Sequence, residues 1–284
     1  MIEKSDKFIL RTRIMKIWKN TPTLNGYDEG FSFTEDKIEA DILLLGSKPV
    51  NIDDFPNVKG IFRAGISKDN IPAVDEKSRR ITIRFPSEQT IKYIYDETAN
   101  FTCSLIFRMN YQNVGSINPW KKHDRMQLQD KVLLVIGTGN IGNIVANKMR
   151  NFLKVLTFDI RENNSTDFHS MIPEADFISL HIPNLPENRS FFDYEKLGMM
   201  KDGATLINTA RGPIVDEDAL LDELNKDRIR AAFDVFWEEP YQGRLLKFYP
   251  EKFFMTPHIA STCIGFLKGC SNDLKKLIEE LSID

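Results

Sequence analysis

The 284-residue sequence predicts an α/β protein, with a doubly wound parallel sheet in its larger domain and a smaller α/β domain ahead of it. Three observations carry that prediction. Short apolar runs alternate with helical stripes along most of the chain. A glycine-rich loop lies where one such run meets one such stripe. Candidate functional residues follow several of the runs, at the edge where open α/β sheets bind ligands.

In the first forty residues the one expected strand lies around Phe8-Ile9-Leu10. Three further strands are expected at Asp41-Ile42-Leu43-Leu44-Leu45-Gly46, at 58–65 and at 81–85, separated by polar segments containing Pro or Gly. Ile94, Thr98, Phe101, Leu105 and Met109 recur at helical spacing, so 94–109 is expected to be a helix. Residues 110–130, with Gly115 and Pro119, read as a connector.

Beyond it, 132–136 is a buried strand, 141–152 a helix and 155–158 the next strand. Strands follow at 177–180, 205–208, 232–235 and 253–255. Asp216 can cap a helix opening on Glu217 and Asp218, whose charges suit the positive end of its dipole. Leu274, Leu277, Ile278 and Leu281 mark a last helical stripe, expected to pack back onto the first domain.

Composition excludes several functions. Hydrophobic residues make up 42% and charged residues 28%, with a net charge of −3, so no general affinity for nucleic acid is implied. The densest basic cluster, 121–125, reads as a solvated loop. No apolar stretch is long enough for a membrane span, and the charged N-terminus lacks a signal-peptide core. Cys103, Cys263 and Cys270 have no metal-like spacing, so no metal is expected. Their odd number fits a reducing cytoplasm, and Cys263 and Cys270 read as packed helical positions rather than a redox pair.

Gly137-Thr138-Gly139-Asn140-Ile141-Gly142 fits the pattern G-x-G-x-x-G in the context it needs, after a strand and opening a helix. Gly137 permits the turn, Gly139 lets a pyrophosphate approach, and Gly142 lets helix and sheet pack closely. Free amides at the helix start, around Asn140 and Ile141, would hold the anion. Asp159 ends the next strand, where a carboxylate accepts hydrogen bonds from both adenosine ribose hydroxyls and repels a 2′-phosphate. NAD is therefore expected over NADP, with Arg161 as the residue able to tolerate that phosphate.

Arg211, Glu239 and His258 each follow a strand candidate. A guanidinium can fork onto a carboxylate and an adjacent oxo group. An imidazole can donate a proton near neutral pH, and a carboxylate beside it orients the ring and favours its charged form. Together they suit a 2-oxo acid. His181, after the strand 177–180, competes with His258 and reads alternatively as a wall of the cofactor pocket or as structural.

These residues carry a resemblance to the D-isomer-specific 2-hydroxyacid dehydrogenases. The similar segments are Gly137–Gly142 with Asp159, Leu180-His181-Ile182-Pro183, Asn208-Thr209-Ala210-Arg211-Gly212, Asp234-Val235-Phe236 through Glu239-Pro240, and Thr256-Pro257-His258-Ile259-Ala260. A fainter match, 63–71, is similar to the family's substrate loop.

The resemblance implies two Rossmann-like domains: a flavodoxin-like substrate domain at 1–95 and an NAD-binding domain at 96–262, with a helix at 263–284 returning to the first. It implies substrate binding by Arg211 and by backbone amides of Ala64, Gly65 and Ile66. It also implies acid/base catalysis by His258 with Glu239 in support, and cofactor contacts from His181, Pro183, Thr209, Ala210 and Asp234. A homodimer is expected, with 100–125 as its contact.

Three departures stand out. Ser67 replaces a glycine common in the substrate loop, the N-terminal region is short, and 230–233 is one residue shorter than usual, which is expected to shift Glu239. Two other readings stand beside the NAD-dependent enzyme: an NADPH-preferring glyoxylate/hydroxypyruvate reductase, and a non-catalytic NAD-sensing protein of the same fold.

Overall fold

Runs such as Ile42–Leu45 and Phe177–Leu180 are buried along their whole length, as in sheets covered on both faces. The computed structural model describes residues 14–68, 70–72, 80–162 and 165–283, which divide into two compact units. One comprises the chain up to Lys92 together with the segment from Cys263, and the other is Tyr93–Thr262. The strand expected at Phe8–Leu10 lies outside the described residues.

In the first unit, β1 (Lys16–Lys19), β2 (Ser32–Phe33), β3 (Ile42–Leu45), β4 (Gly60–Arg63) and β5 (Thr82–Arg84) form a sheet in the order β2-β1-β3-β4-β5. Every pairing is parallel. This is the flavodoxin-like strand order. α1 (Glu88–Asn110) starts six residues before the expected helix, because Ser87 supplies a cap: its hydroxyl accepts the Thr90 amide. The last helix, α6 (Ile264–Ile283), lays Leu277 and Leu281 over Gly60, where a side chain would meet Leu281 at 2.6 Å. Asp273 of α6 accepts bonds from the Ser87 amide and the Thr90 hydroxyl, both at 2.8 Å.

Cys270 is buried in α6, but Cys263 precedes the helix, and its sulfur accepts the Phe266 amide as a cap. Burial pushes the Cys270 thiol up, and pushes Cys103 up to about 11, so neither is poised to react.

In the second unit, β8 (Val132–Ile136), β9 (Lys154–Phe158), β10 (Phe177–Leu180), β11 (Thr205–Asn208), β12 (Arg230–Phe233) and β13 (Phe253–Met255) form a parallel sheet. Its order is β9-β8-β10-β11-β12-β13, so the winding reverses between β8 and β10. Helices α2 (Asn140–Met149), α3 (Ser165–Met171), α4 (Tyr194–Met199) and α5 (Glu217–Asn225) lie between the strands. Asp216 caps α5 by accepting the Ala219 amide.

Successive residues of a strand feed opposite layers. Leu134, Ile136, Ile178 and Leu206 join one apolar cluster, while Leu133, Val135, Phe177 and Ile207 join another with Ala99, Ile106 and Val145. Each fully buried side chain of this size contributes about 1.5–3 kcal/mol.

The segment 110–130 is not a plain connector. β6 (Gly115–Ser116) and β7 (Lys121–Lys122) pair antiparallel and present Ile117 and Trp120 at 82% and 80% exposure. β12 runs from Arg230 to Phe233, short of the expected 235; beyond it the Asp234 amide still donates to the Asn208 carbonyl, while its carboxylate holds another loop.

Candidate active site

The three glycines of the loop after β8 have separate duties. Gly137 sits at φ +92°, in the left-handed region, and a side chain there would meet the His181 carbonyl at 2.6 Å. A Cβ on Gly142 would lie 1.9 Å from the Gly137 carbonyl oxygen, whereas one on Gly139 would meet nothing within 4 Å. The loop is therefore closed on its sheet side and open at Gly139, and α2 begins there without a side-chain cap. Those uncapped amides, at the switch point of the sheet, suit a pyrophosphate. Gly142→Ala is expected to overpack this turn by about 1–3 kcal/mol and weaken NADH binding by on the order of tenfold to a hundredfold. A fluorescence titration checks this, and unchanged affinity would contradict the cradle.

Asp159, just past β9, is 7% exposed and lies beneath a guanidinium. Its Oδ2 accepts the Thr138 amide at 2.9 Å, the Thr138 hydroxyl at 3.0 Å and Arg161 Nη2 at 2.7 Å. Oδ1 accepts Arg161 Nε at 2.7 Å and the Arg161 amide at 3.1 Å. The Arg161 fork, ahead of the Thr138 bonds, holds this carboxyl well below the usual range despite its burial.

His181 follows β10, and its Nε2 lies 2.8 Å from the Ser179 hydroxyl. Burial pushes its pKa down to about 4, so the ring is neutral near pH 7. Its carbonyl backs Gly137 and its Cβ lies 3.3 Å from the space a Gly142 side chain would take. It thus walls the glycine loop. Pro183 is exposed two residues on, its carbonyl accepting the Asn188 side chain and the Leu185 amide.

After β11, fully buried Asn208 shapes the turn: its Oδ1 accepts the Ala210 amide and its Nδ2 donates to the Arg211 carbonyl. The Thr209 hydroxyl lies 2.8 Å from Thr102 of α1, which leaves the Thr209 backbone as the part able to face a cofactor. Arg211 Nη1 donates to the Ala210 carbonyl at 2.6 Å. A side chain on Gly212 would meet Phe236 backbone carbon at 2.1 Å. That close approach sets the arginine turn against the loop carrying Glu239.

Glu239 Oε2 lies 2.8 Å from His258 Nδ1, and Oε1 accepts the Phe236 amide at 3.2 Å. Burial alone would raise the Glu239 pKa. The hydrogen bond and charge of His258, the Phe236 amide and the charge of Arg211 outweigh it and lower the pKa. The short segment before Glu239 has therefore not separated it from His258, contrary to the shift expected from sequence. Because the folded pKa is depressed, the stabilisation from this pair is present above the ordinary carboxylate range and is lost as pH falls through the lowered value. Glu239→Gln keeps the shape but removes the charge beside Nδ1 of His258, so kcat for 2-oxo acid reduction is expected to fall more than KM changes. An unchanged kcat would show that Glu239 acts only as a spacer.

His258 has φ +54°, an uncommon conformation for a residue with a side chain. Asp234, fully buried, holds this segment: it accepts the Thr256 hydroxyl at 2.5 Å and the Ile259 and Ala260 amides at 2.9 Å. Burial raises the Asp234 pKa against those bonds. Its oxygens are thus engaged by the histidine loop, a duty its place in the sequence did not reveal.

In the first unit, Arg63 is buried beside Ala64 and Gly65, donating to the Ala64 carbonyl and to Asn70 Oδ1. Asn70 in turn donates to the Gly46 carbonyl at 2.6 Å, so 63–66 is braced from beneath. Ile66 is half-buried and Gly65 takes φ +154°. Among the described residues no cluster of His, Cys, Asp and Glu is placed to hold a metal ion, and no helix is long and apolar enough to cross a membrane.

Among α/β proteins, a glycine cradle at a sheet switch point beside a carboxylate-held histidine and an arginine marks the dinucleotide-dependent oxidoreductases. The family model for "D-isomer specific 2-hydroxyacid dehydrogenase, NAD binding domain" matches residues 107–260, and the chain belongs to that family. It is an NAD-dependent oxidoreductase. It is 30% identical over 254 residues to a glyoxylate reductase of Thermofilum pendens, covering 81% of this chain and 70% of that one. It is 29% identical over 263 residues to a hydroxypyruvate reductase of Thermotoga maritima, covering 87% and 82%. The fold is shared with D-lactate dehydrogenase from Aquifex aeolicus, solved with NAD and lactic acid, at TM-score 0.76 and 22% identity over 94% of this chain and 95% of that one.

Proposed function

We propose that this enzyme interconverts a small 2-oxo acid and the D-2-hydroxy acid. The observation that carries the proposal is the 2.8 Å pairing of Glu239 with His258, with the charge of Arg211 felt at the same carboxylate. NADH, when bound, supplies the hydride that reduces the carbonyl carbon. Arg211 clamps the substrate carboxylate and oxo oxygen through its planar fork. Glu239 accepts from Nδ1, which leaves Nε2 of His258 to give its proton to the oxygen as the hydroxy acid forms. In the reverse direction Nε2 takes that proton back. The amides of Ala64, Gly65 and Ile66 are assigned to the substrate carboxylate, and Asn140, Ile141, His181, Pro183, Thr209, Ala210 and Asp234 to the cofactor surroundings.

The reductases of Thermofilum pendens and Thermotoga maritima direct the first tests to glyoxylate and hydroxypyruvate. Mixing the protein with NADH and a panel of 2-oxo acids is expected to give loss of nicotinamide absorbance with at least one. Tight NADH binding with no loss for any acid would favour a non-catalytic NAD-sensing role instead.

The same reading includes a cytoplasmic homodimer. The free cysteines fit a reducing compartment. Exposed Ile117 and Trp120 on the β6–β7 hairpin, with Tyr111 and Met126 nearby in sequence, offer an apolar contact for a second copy. A light-scattering mass near 32.8 kDa at micromolar concentration would contradict the dimer.

A further inference from the structure

We propose that Trp237 and Tyr241 are positioning residues: a two-point latch that fastens the Glu239 loop and so keeps its carboxylate on His258. The proposal rests on the assignment of Glu239 and His258 to proton transfer.

The other two parts of the site are fixed by their own neighbours. Asn208 bonds the Ala210 amide and the Arg211 carbonyl, and three bonds to Asp234 hold the His258 segment. The Glu239 loop has no such support. Among the described residues, 235–242 make no backbone–backbone hydrogen bond. Glu239 Oε1 bonds the Phe236 amide, which closes the loop on itself rather than on the sheet.

Two side chains, one on each side of Glu239 and two residues away, tie the loop down. The Trp237 indole Nε1 donates to the Val215 carbonyl at 2.7 Å. The Tyr241 hydroxyl donates to Glu217 Oε1 at 2.7 Å and accepts the Leu245 amide at 3.2 Å. Burial, and then the bond to Glu217, raise the Tyr241 pKa, so the hydroxyl keeps its proton and stays a donor. Both anchors belong to the segment that leads from Arg211 into α5. The rings pack as well: Phe236 stacks on Tyr241 at 5.0 Å, and Trp237 lies 5.9 Å from both Tyr241 and Phe233 of β12.

Glu239 is thus registered against the stretch of chain that carries Arg211. Its 2.8 Å bond to His258 Nδ1 tolerates little drift. A hydrogen bond weakens steeply as its angle closes, and a misplacement of about 1 Å can lower a rate about a hundredfold. A merely structural aromatic pair would instead affect stability and leave turnover per folded enzyme unchanged.

The test removes the two donors and keeps the rings, in Trp237→Phe and Tyr241→Phe, with the 2-oxo acid that the native protein reduces. Each change is expected to lower kcat about three- to tenfold, and the two together about tenfold to a hundredfold. KM for the acid is expected to stay within about twofold, since Asn208 still holds the Arg211 turn. The same two changes are then made in Glu239→Ala, where no carboxylate remains to be placed. There they are expected to lower kcat by less than about twofold further. An equal fold-loss in both backgrounds, or an unchanged kcat in the doubly substituted protein, overturns the latch. A Glu239→Ala protein as active as the native one overturns the assignment of Glu239 itself, and the latch with it. Tyr241→Phe loses a single oxygen, so it carries the test even where the indole change unfolds the protein.

Discussion

His258→Asn is expected to lower kcat for 2-oxo acid reduction by on the order of 10²–10⁴-fold, the usual worth of a positioned proton donor. NADH affinity is expected to hold, since the glycine cradle and Asp159 stand on other loops. The large effect follows from how the ring is held. Nδ1 is bound to Glu239 at 2.8 Å, and the left-handed backbone at His258 is fixed by three bonds to Asp234. A strained loop held this firmly keeps the ring in one orientation. His181→Asn provides the contrast. A neutral ring bonded to a serine and backing Gly137 should change cofactor affinity more than kcat. Steady-state kinetics and NADH titration on both variants separate the two, and an equal kcat loss in His181→Asn would contradict the assignment.

Arg211→Lys carries the second large effect. Lysine keeps the charge but not the fork, and it cannot hold the Ala210 carbonyl and a planar carboxylate together. Loss of the bidentate contact is expected to lower kcat/KM about 30- to 1,000-fold. The loss should be of similar size for every acid in a panel, because the carboxylate and oxo group are what those acids share. A loss confined to one acid would move Arg211 from the common clamp to a side-chain pocket.

Much of the nucleotide unit was legible because its signals are local. A buried strand, three glycines with different steric duties, a helix and an acid follow one another within thirty residues, and each is read from its neighbours. Arg211, Glu239 and His258 were legible as polar residues closing apolar runs. What was hidden depends on contacts distant in sequence. Nothing near Asp234 indicates that its oxygens bind amides 25 and 26 residues on. The need for glycine at 212 likewise lies in a contact distant in sequence, with the Phe236 backbone.

The first unit was harder to read for a different cause. β1 is four residues with lysine at each end, and β2 is two residues, too short for a period to emerge. The β6–β7 hairpin is not legible in the sequence because two-residue strands with exposed side chains leave no alternation of buried and exposed positions. Asp159 and Arg161 are both legible near the end of the second strand, but the two-pronged contact of Arg161 with both carboxylate oxygens depends on how the turn after β9 folds.

The most direct test of the account follows the hydride itself. NADH deuterated on the transferring face of the nicotinamide is mixed with the native protein and with His258→Asn, using the 2-oxo acid turned over fastest. The account predicts a D-2-hydroxy acid carrying deuterium at C2 from the native protein, at a rate reduced on the order of 10²–10⁴-fold in the variant. Product without deuterium, L product, or an unchanged rate in the variant would contradict it.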